Sequence, residues 1–206
     1  MPSLNTHKVF IQDHFYHIYN RGWNYGEIFL EEADCRYFEE VLQRHISIEP
    51  VADARGRLYA HMRPDIDLNA YCLMPNHFHM LVYIRDEAAA TKFISSVMTA
   101  HTMYFNKKYK RRGPLCESRF KAVIILQNDQ LMHITRYIHL NPDDWRAYPY
   151  SSIHGYYGIG RPEWLQPERI VDLFASLPHY ADFLDDHEGY KESLLDVGQD
   201  MANTVL

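Results

Sequence analysis

The fold is decided by the stretch Leu73-Met74-Pro75-Asn76-His77-Phe78-His79-Met80-Leu81-Val82. The pair Pro75-Asn76 forms turns readily and has apolar runs on both sides, so the stretch predicts two β-strands joined by a tight turn. Successive side chains of a strand point to opposite faces. His77 and His79 therefore share one face, and Phe78 points into the core.

Two imidazoles on one face of a strand form half of a site for a divalent metal ion, because neutral imidazole nitrogens are common metal ligands. The pair is also compatible with a partly exposed polar face, since the chain contains 13 histidines. A metal site therefore requires a third group from elsewhere in the chain.

The best source of a third group is the segment 131–142, where apolar residues recur at helical spacing. Pro142 marks the end of this predicted helix, because the residue before a proline is biased away from helical geometry. Tyr137 and Asn141 are four residues apart and would lie one turn apart on one face of the helix. A phenol able to act as a nucleophile and an amide oxygen able to complete a metal site would then be presented together.

The elements predicted along the chain follow an α+β order. Strands are predicted at residues 14–20, 66–74, 77–84 and 119–126, and long helices at 31–47 and 87–108. The resulting β-α-β-β-α-β order is that of the ferredoxin-like fold, an antiparallel sheet with these helices on one face. The histidine pair would occupy the other face, where the helix that bears Tyr137 can return to cover it.

Five segments, taken together, resemble the single-tyrosine HUH transposases of insertion sequences, and more narrowly the branch associated with repetitive extragenic palindromes. They are residues 16–22, 72–79, 113–121, 136–142 and 150–152. The segments stand in the family's order between residues 14 and 155, whereas the His-Phe-His triplet alone is a weak signal. The family has a ferredoxin-like fold, in agreement with the predicted elements.

The resemblance implies a specific chemistry. His77, His79 and Asn141 would hold Mg²⁺ or Mn²⁺ against a phosphate of single-stranded DNA, next to hairpins formed by palindromic repeats. Tyr137 would attack that phosphate and form a 5′-phosphotyrosine link, from which strand joining follows by the reverse reaction. The Tyr137 helix would serve its own chain in a monomer or the partner's site in a homodimer, and the sequence leaves both arrangements open.

Alternatives remain open at these positions. Tyr104 and Tyr109 lie beside a basic run and are competing nucleophiles on location alone. Asn141 is also a natural helix C-cap before a proline. His133, one turn before Tyr137, is a further candidate for contact with DNA or metal, although a solvated histidine is more common at such a position.

The net charge of −6 argues against a DNA-binding protein, but the charge is unevenly distributed. Residues 104–121 contain seven basic side chains and one acid, whereas residues 163–200 contain ten acids and two bases. The expected DNA-binding residues are Arg21, Lys107, Lys108, Lys110, Arg111, Arg112, Arg119 and Lys121. Tyr104, Phe105 and Tyr109 within this segment either stack on unpaired bases or pack inside the fold.

Composition indicates one main domain and an appendage. A chain of 206 residues, 47% hydrophobic, suffices for one substantial core. We expect a nuclease domain at residues 1–162 and an acidic, helical C-terminal extension at residues 163–206, which opposite charge would attract to the basic segment.

The protein is expected to be cytoplasmic. Cys35, Cys72 and Cys116 are odd in number and lack metal-type spacing, which is typical of free thiols in a reducing compartment. No secretory signal is visible, and no apolar run is long enough to cross a bilayer, so no membrane partner is expected.

Two other functions compete with a transposase. One is a DNA-binding regulator that recognises hairpins but no longer mobilises DNA, although such a protein needs neither the histidine pair nor Tyr137. The other is a two-histidine metal hydrolase or oxygenase that acts on a small molecule. That class usually requires a carboxylate ligand, and no acid aligns convincingly with His77 and His79 in the sequence.

Overall fold

A computed structural model of the protein describes residues 9–186. The strands are β1 (His14–Arg21), β2 (Ile66–Met74), β3 (His77–Ile84) and β4 (Lys121–Ile125). The helices are α1 (Glu32–Ile46), α2 (Glu87–Lys108), α3 (Asn128–His139), α4 (Ile153–Tyr156), α5 (Glu168–Val171) and α6 (Leu177–Asp185). The predicted bounds of β2, β3 and α2 are confirmed, and β4 is shorter than expected.

The four strands form one antiparallel sheet in the order β2-β3-β1-β4. Together with the chain order β1-α1-β2-β3-α2-β4, this arrangement confirms the predicted ferredoxin-like α+β fold. The register places Tyr19 opposite His79 and Arg21 opposite His77. The C-terminal end of β1 therefore lies beside the histidine pair.

The two faces of the sheet pack against different helices. The first core cluster combines side chains of α1 and α2 with one sheet face, which includes the fully buried Phe78. The second cluster combines the other face with α3, α5 and α6. The α3 helix thus covers the face that carries His77 and His79, as predicted.

Helix α3 is shorter than its sequence pattern indicated. It ends at His139, and Leu140 is the residue that caps it. Asn141 therefore lies just outside the helix, and the prediction that Tyr137 and Asn141 share a helical face is wrong in this detail. The helix ends early because Pro142 has no backbone N–H to continue the helical hydrogen bonds, and a proline also disfavours helical geometry in the residue before it.

The described part of the acidic segment packs against the sheet and α3. Gln166 donates its backbone N–H to Leu68 of β2 at 2.8 Å, and Tyr180 and Leu184 of α6 are fully buried in the second cluster. Ile170, Tyr180 and Leu184 therefore pack on the α3 side of the sheet, whereas Trp164 and Leu165 belong to the first cluster. Residues 187–206 of the expected extension lie outside the described range. The domain boundary at residue 162 stays a prediction.

Across residues 9–186, no helix is both long and apolar enough to span a bilayer.

Candidate active site

Three side chains expected to bind metal converge at one end of β3. His77 Nε2 lies 2.9 Å from Asn141 Oδ1, although 64 positions separate the two residues. His79 follows on the same strand face, and its ring centroid is 5.1 Å from that of His77. The turn that follows α3 delivers Asn141 to this point.

The hydrogen bonds of His77 favour one tautomer for metal binding. Its Nδ1 lies 2.6 Å from Asn76 Oδ1, so a proton on Nδ1 is donated to that amide. The Nε2 lone pair then faces the same space as Asn141 Oδ1. Neighbouring ligands of an octahedral ion at about 2.1 Å lie about 3 Å apart, which matches the observed separation. Without a metal ion, a protonated Nε2 can instead donate to Asn141 Oδ1. Burial lowers the pKa of His77, and this hydrogen bond offsets part of that effect.

His79 is oriented by His17, a residue of β1 that the sequence analysis missed. His79 Nδ1 lies 2.8 Å from His17 Nε2, and burial lowers the pKa of both rings, that of His17 to about 3. Both imidazoles are therefore neutral at neutral pH. When His79 donates its Nδ1–H to His17, the Nε2 of His79 keeps a free lone pair. That Nε2 is buried without a hydrogen-bond partner, as expected of an atom that binds a ligand.

Tyr137 projects from α3 onto the same histidines. Its ring meets that of His79 edge-on, with centroids 5.1 Å apart, and lies 6.1 Å from that of His17. The phenol and the imidazoles thus lie on one side of the sheet within a single chain. The competing Tyr104 and Tyr109 are instead hydrogen-bonded to Lys108 and Asp34, at the packing of α2 against α1.

In the described part of the chain, no carboxylate completes the histidine pair. Within residues 9–186, no set of three His, Cys, Asp or Glu side chains is arranged to hold a metal ion. The nearest third group is the Asn141 amide, a hard oxygen donor of the kind that Mg²⁺ and Mn²⁺ accept. The donor set therefore fits these two ions and lacks the carboxylate usual in a two-histidine oxygenase.

A buried hydrogen-bond network fixes the end of α3. His139 Nδ1 lies 2.5 Å from the hydroxyl of Tyr180, and its Nε2 lies 2.7 Å from Ser152 Oγ. Ser152 Oγ also accepts the backbone N–H of Tyr71 in β2 at 2.9 Å. The segments 136–142 and 150–152 thus meet in space.

The segments 16–22 and 113–121 also meet. Asn20 Nδ2 donates to the backbone carbonyls of Ser118 and Arg119 at 2.8 and 3.0 Å. Gly22 pairs with Cys116 across an isolated bridge. A β-carbon at Gly22 would lie 1.8 Å from the carbonyl oxygen of Gly26, so only glycine fits at this turn.

The turn after β1 exposes two aromatic rings that the sequence analysis did not single out. Trp23 is 60% exposed and Tyr25 is 64% exposed. The guanidinium of Arg21 lies 4.3 Å from the ring centroid of Tyr25. Asn24 and Tyr25 have positive φ angles of 51° and 59°, which costs conformational energy in non-glycine residues. Arg21 is the β1 residue opposite His77, so the turn that bears these rings begins next to the proposed metal ligands.

Some of the basic side chains expected to bind DNA form ion pairs with acidic residues, and others are exposed to solvent. Lys108 Nζ contacts Asp34 and Glu31, each at 2.5 Å, and Arg21 pairs with Glu117 at 2.6 Å. Although burial alone raises the pKa of Asp34, its hydrogen bonds, led by that from Lys108, lower it. The charge of Lys108 is therefore directed to Asp34 and Glu31 rather than to a DNA phosphate. The exposed group is Lys107, Lys110, Arg111, Arg112 and Arg119, and Lys121 is half-buried.

The aromatic residues of the basic segment pack inside the fold. Phe105 is buried, and the hydroxyls of Tyr104 and Tyr109 are bonded to Ala33 and Asp34. Of the two interpretations left open for these rings, the structure favours packing over base stacking.

The chain was compared with known proteins. Residues 58–141, which include His77, His79, Tyr137 and Asn141, match the model of the family described as "Transposase IS200 like". The resemblance to IS200-like transposases is confirmed. A comparison with curated proteins gives no match.

Solved structures resemble this chain at low sequence identity, and the one with the higher TM-score shares its fold. One is the REP-associated tyrosine transposase bound to a REP hairpin, with a TM-score of 0.52 and 15% sequence identity over 84% of this chain and 95% of that one. Another is a putative transposase from Deinococcus radiodurans R1, with a TM-score of 0.40 and 12% identity over 66% of this chain and 95% of that one.

Proposed function

We propose that the protein is a transposase that cuts and rejoins single-stranded DNA next to palindromic hairpins, with Tyr137 as the nucleophile. The main support is the convergence of His77, His79 and Asn141 beside the ring of Tyr137 in one chain. Further support comes from the family match over residues 58–141 and from the REP hairpin bound by the structure that shares this fold.

The proposed ligands of a catalytic Mg²⁺ or Mn²⁺ are His77 Nε2, His79 Nε2 and Asn141 Oδ1. A bound ion would supply a Lewis acid that stabilises charge developing on the phosphoryl oxygens. The second ring nitrogens of the histidines contact Asn76 and His17, and these contacts hold both rings in place before DNA arrives.

Tyr137 contributes the covalent step. Its phenolic oxygen forms a bond to phosphorus as the bond from phosphorus to the DNA 3′-oxygen breaks. The phenol proton is lost to water, and the leaving 3′-oxygen takes up a proton from water. The products are a 5′-phosphotyrosine and a free 3′-hydroxyl. A phenol, whose unperturbed pKa is about 10, leaves more easily than an alkoxide. A 3′-hydroxyl can therefore reverse the step and join strands without an external energy source.

Recognition of the unpaired flank is proposed for the turn after β1. Trp23 and Tyr25 offer exposed ring faces on which bases can stack, and base stacking on aromatic side chains contributes about 1–3 kcal/mol per base. Lys121, whose Nζ lies 5.6 Å from the ring centroid of Tyr19, can neutralise phosphates on the same side of the sheet.

A labelled hairpin oligonucleotide with single-stranded flanks tests the proposal in the presence of Mg²⁺ or Mn²⁺. We expect a protein–DNA adduct that survives denaturing electrophoresis and disappears with chelator, in Tyr137→Phe and in His79→Ala. Tyr83→Phe is the matched control, because it also removes one tyrosine hydroxyl. Tyr83 lies on β3, as the two histidines do, but its hydroxyl contacts Asp13 at the far end of the strand. Hairpin binding without an adduct on any flank sequence would support the regulator instead.

A further inference from the structure

We propose that Tyr19 is a further catalytic residue, whose hydroxyl donates a hydrogen bond to a nonbridging oxygen of the scissile phosphate; the inference rests on the proposed function. Tyr19 belongs to β1 and lies opposite His79 of β3 in the sheet. Side chains of directly opposite residues in an antiparallel pair stand on the same face. Tyr19 therefore shares the sheet face that carries the proposed metal ligands.

The ring of Tyr19 is held in place by neighbours on three strands. It stacks on His17 of the same strand with ring centroids 4.9 Å apart, and on His79 with centroids 5.9 Å apart. Lys121 of β4 approaches the same ring, with its Nζ 5.6 Å from the centroid. The phenol is thus oriented before DNA binds, as is required of a group that stabilises a transition state without reorganising.

The length of the phenol carries its hydroxyl past the imidazole of His79. The planes of the two rings lie within 26° of each other, and the side chains rise side by side from neighbouring strands. Because a phenol is longer than an imidazole, the hydroxyl of Tyr19 extends further from the sheet than Nε2 of His79. A phosphate held in front of that nitrogen would therefore lie beside the hydroxyl.

The hydroxyl of Tyr19 is available as a donor. Tyr19 is only partly buried, and in the part of the chain that the structure describes its hydroxyl makes no hydrogen bond. Arg21, two residues further along the same strand face, is already paired with Glu117 at 2.6 Å. Burial raises the pKa of Tyr19, and the charge of Arg21 offsets part of this effect. The phenol is therefore protonated at neutral pH and can donate.

The cleavage step gives this donor a defined task. In an in-line attack by Tyr137, the attacking and leaving oxygens lie on one axis, and charge is spread over the nonbridging oxygens at its sides. One of these oxygens would face the proposed metal ligands, and Tyr19 would donate to the other. The Tyr19 proton stays on the phenol throughout, so the balance of the reaction is unchanged. Losing one preorganised donor of this kind slows the chemical step by about 100-fold or more in other enzymes.

Tyr19→Phe tests the inference because it removes the hydroxyl and keeps the stacked ring. In single-turnover reactions with the hairpin oligonucleotide, we expect Tyr19→Phe to form the covalent adduct at least about tenfold more slowly than the unmodified protein. Its Mn²⁺ affinity should be unchanged, because the hydroxyl is not a proposed metal ligand. Tyr83→Phe removes a hydroxyl from the far end of β3 and should react at the unmodified rate.

A binding measurement separates contact with the phosphate from a structural effect. It uses the Tyr137→Phe protein and oligonucleotides in which a methylphosphonate of defined configuration replaces one nonbridging oxygen at the scissile position. Adding Tyr19→Phe should weaken binding of the unmodified oligonucleotide about tenfold, because a hydrogen bond to a charged group is lost. With one of the two methylphosphonate configurations the same substitution should have no effect, because the acceptor oxygen is already absent.

The possible results distinguish this inference from the proposed function. An unchanged adduct rate in Tyr19→Phe would overturn the inference, and so would equal weakening of binding with the unmodified oligonucleotide and both methylphosphonates. The absence of an adduct in Tyr137→Phe tests the proposed function alone. An adduct attached to Tyr19 itself would contradict both proposals.

Discussion

At the residue scale, the candidate site depends on which nitrogen of each imidazole carries the proton. His77 and His79 each direct Nδ1 to a neighbour within the protein and Nε2 towards the space beside Tyr137. Burial lowers the pKa of both rings, so both are uncharged at neutral pH. Neither ring then repels a metal cation. Asn76 and His17 thus act as positioning residues for the two proposed ligands.

Replacing His17 tests this positioning. We expect His17→Ala to weaken Mn²⁺ binding about 10- to 100-fold, because His79 loses the acceptor that fixes its tautomer. His17→Gln keeps an acceptor oxygen and should recover part of the affinity. Mn²⁺ titration followed by electron paramagnetic resonance measures both effects.

His14→Ala serves as the control for His17, since His14 lies on the same strand and bonds to Gln12 beyond the site. An unchanged Mn²⁺ affinity in His17→Ala would refute the positioning role.

At the element scale, α3 carries the proposed nucleophile, and contacts with α6 hold the end of this helix in place. Tyr180 of α6 is fully buried, and its hydroxyl contacts His139 at the end of α3. Arg136 of α3 in turn donates to the backbone carbonyl of Phe183 at 3.1 Å. The described part of the acidic segment therefore supports α3.

Tyr180→Phe should destabilise the fold by about 1–3 kcal/mol, because it leaves a buried nitrogen of His139 without its partner. Urea denaturation measures the change in the free energy of unfolding. Tyr25→Phe removes an exposed hydroxyl and should change stability by less than about 0.5 kcal/mol. A loss in Tyr180→Phe no larger than in Tyr25→Phe would show that the contact does not stabilise α3.

Local patterns predicted most elements but not the contacts between them. Alternation in β3 and the helical spacing of α2 are encoded within each segment, so their bounds could be read directly. The contact between His17 and His79 joins positions 62 residues apart and depends on the register of β1 against β3, which no local pattern specifies. The exposure of Trp23 likewise follows from a strained turn rather than from composition.

At the scale of the whole molecule, net charge was a poor guide to the distribution of charge. Lys108 belongs to the basic run but neutralises the buried Asp34, so it contributes little to the surface potential. Arg55 and Arg57 come from a segment without regular secondary structure and become part of a basic cleft only when it folds against α1 and α2. Electrostatic surfaces assembled from distant segments cannot be read from charge runs alone.

Acid should destabilise the whole fold partly through His101. This side chain is fully buried against the carbonyl of Ile28, and burial lowers its pKa from 6.5 to about 4. Below pH 6.5 the unfolded chain binds a proton that the folded chain does not, so stability falls until about pH 4.

His101→Gln retains a donor for Ile28 and does not titrate. It should reduce the slope of unfolding free energy against pH by up to about 1.4 kcal/mol per unit in that window. Denaturation series at several pH values measure the slope, and identical slopes in both proteins would contradict the prediction.

The most direct measurement asks whether the phenol beside the histidine pair becomes covalently attached to DNA. Proteolysis of the covalent adduct followed by mass spectrometry identifies the modified side chain among the 16 tyrosines of the chain. We predict a nucleotide attached through a 5′-phosphate to Tyr137, in a yield that falls with His79→Ala. Attachment to any other residue, or cleavage without a covalent intermediate, would contradict the account.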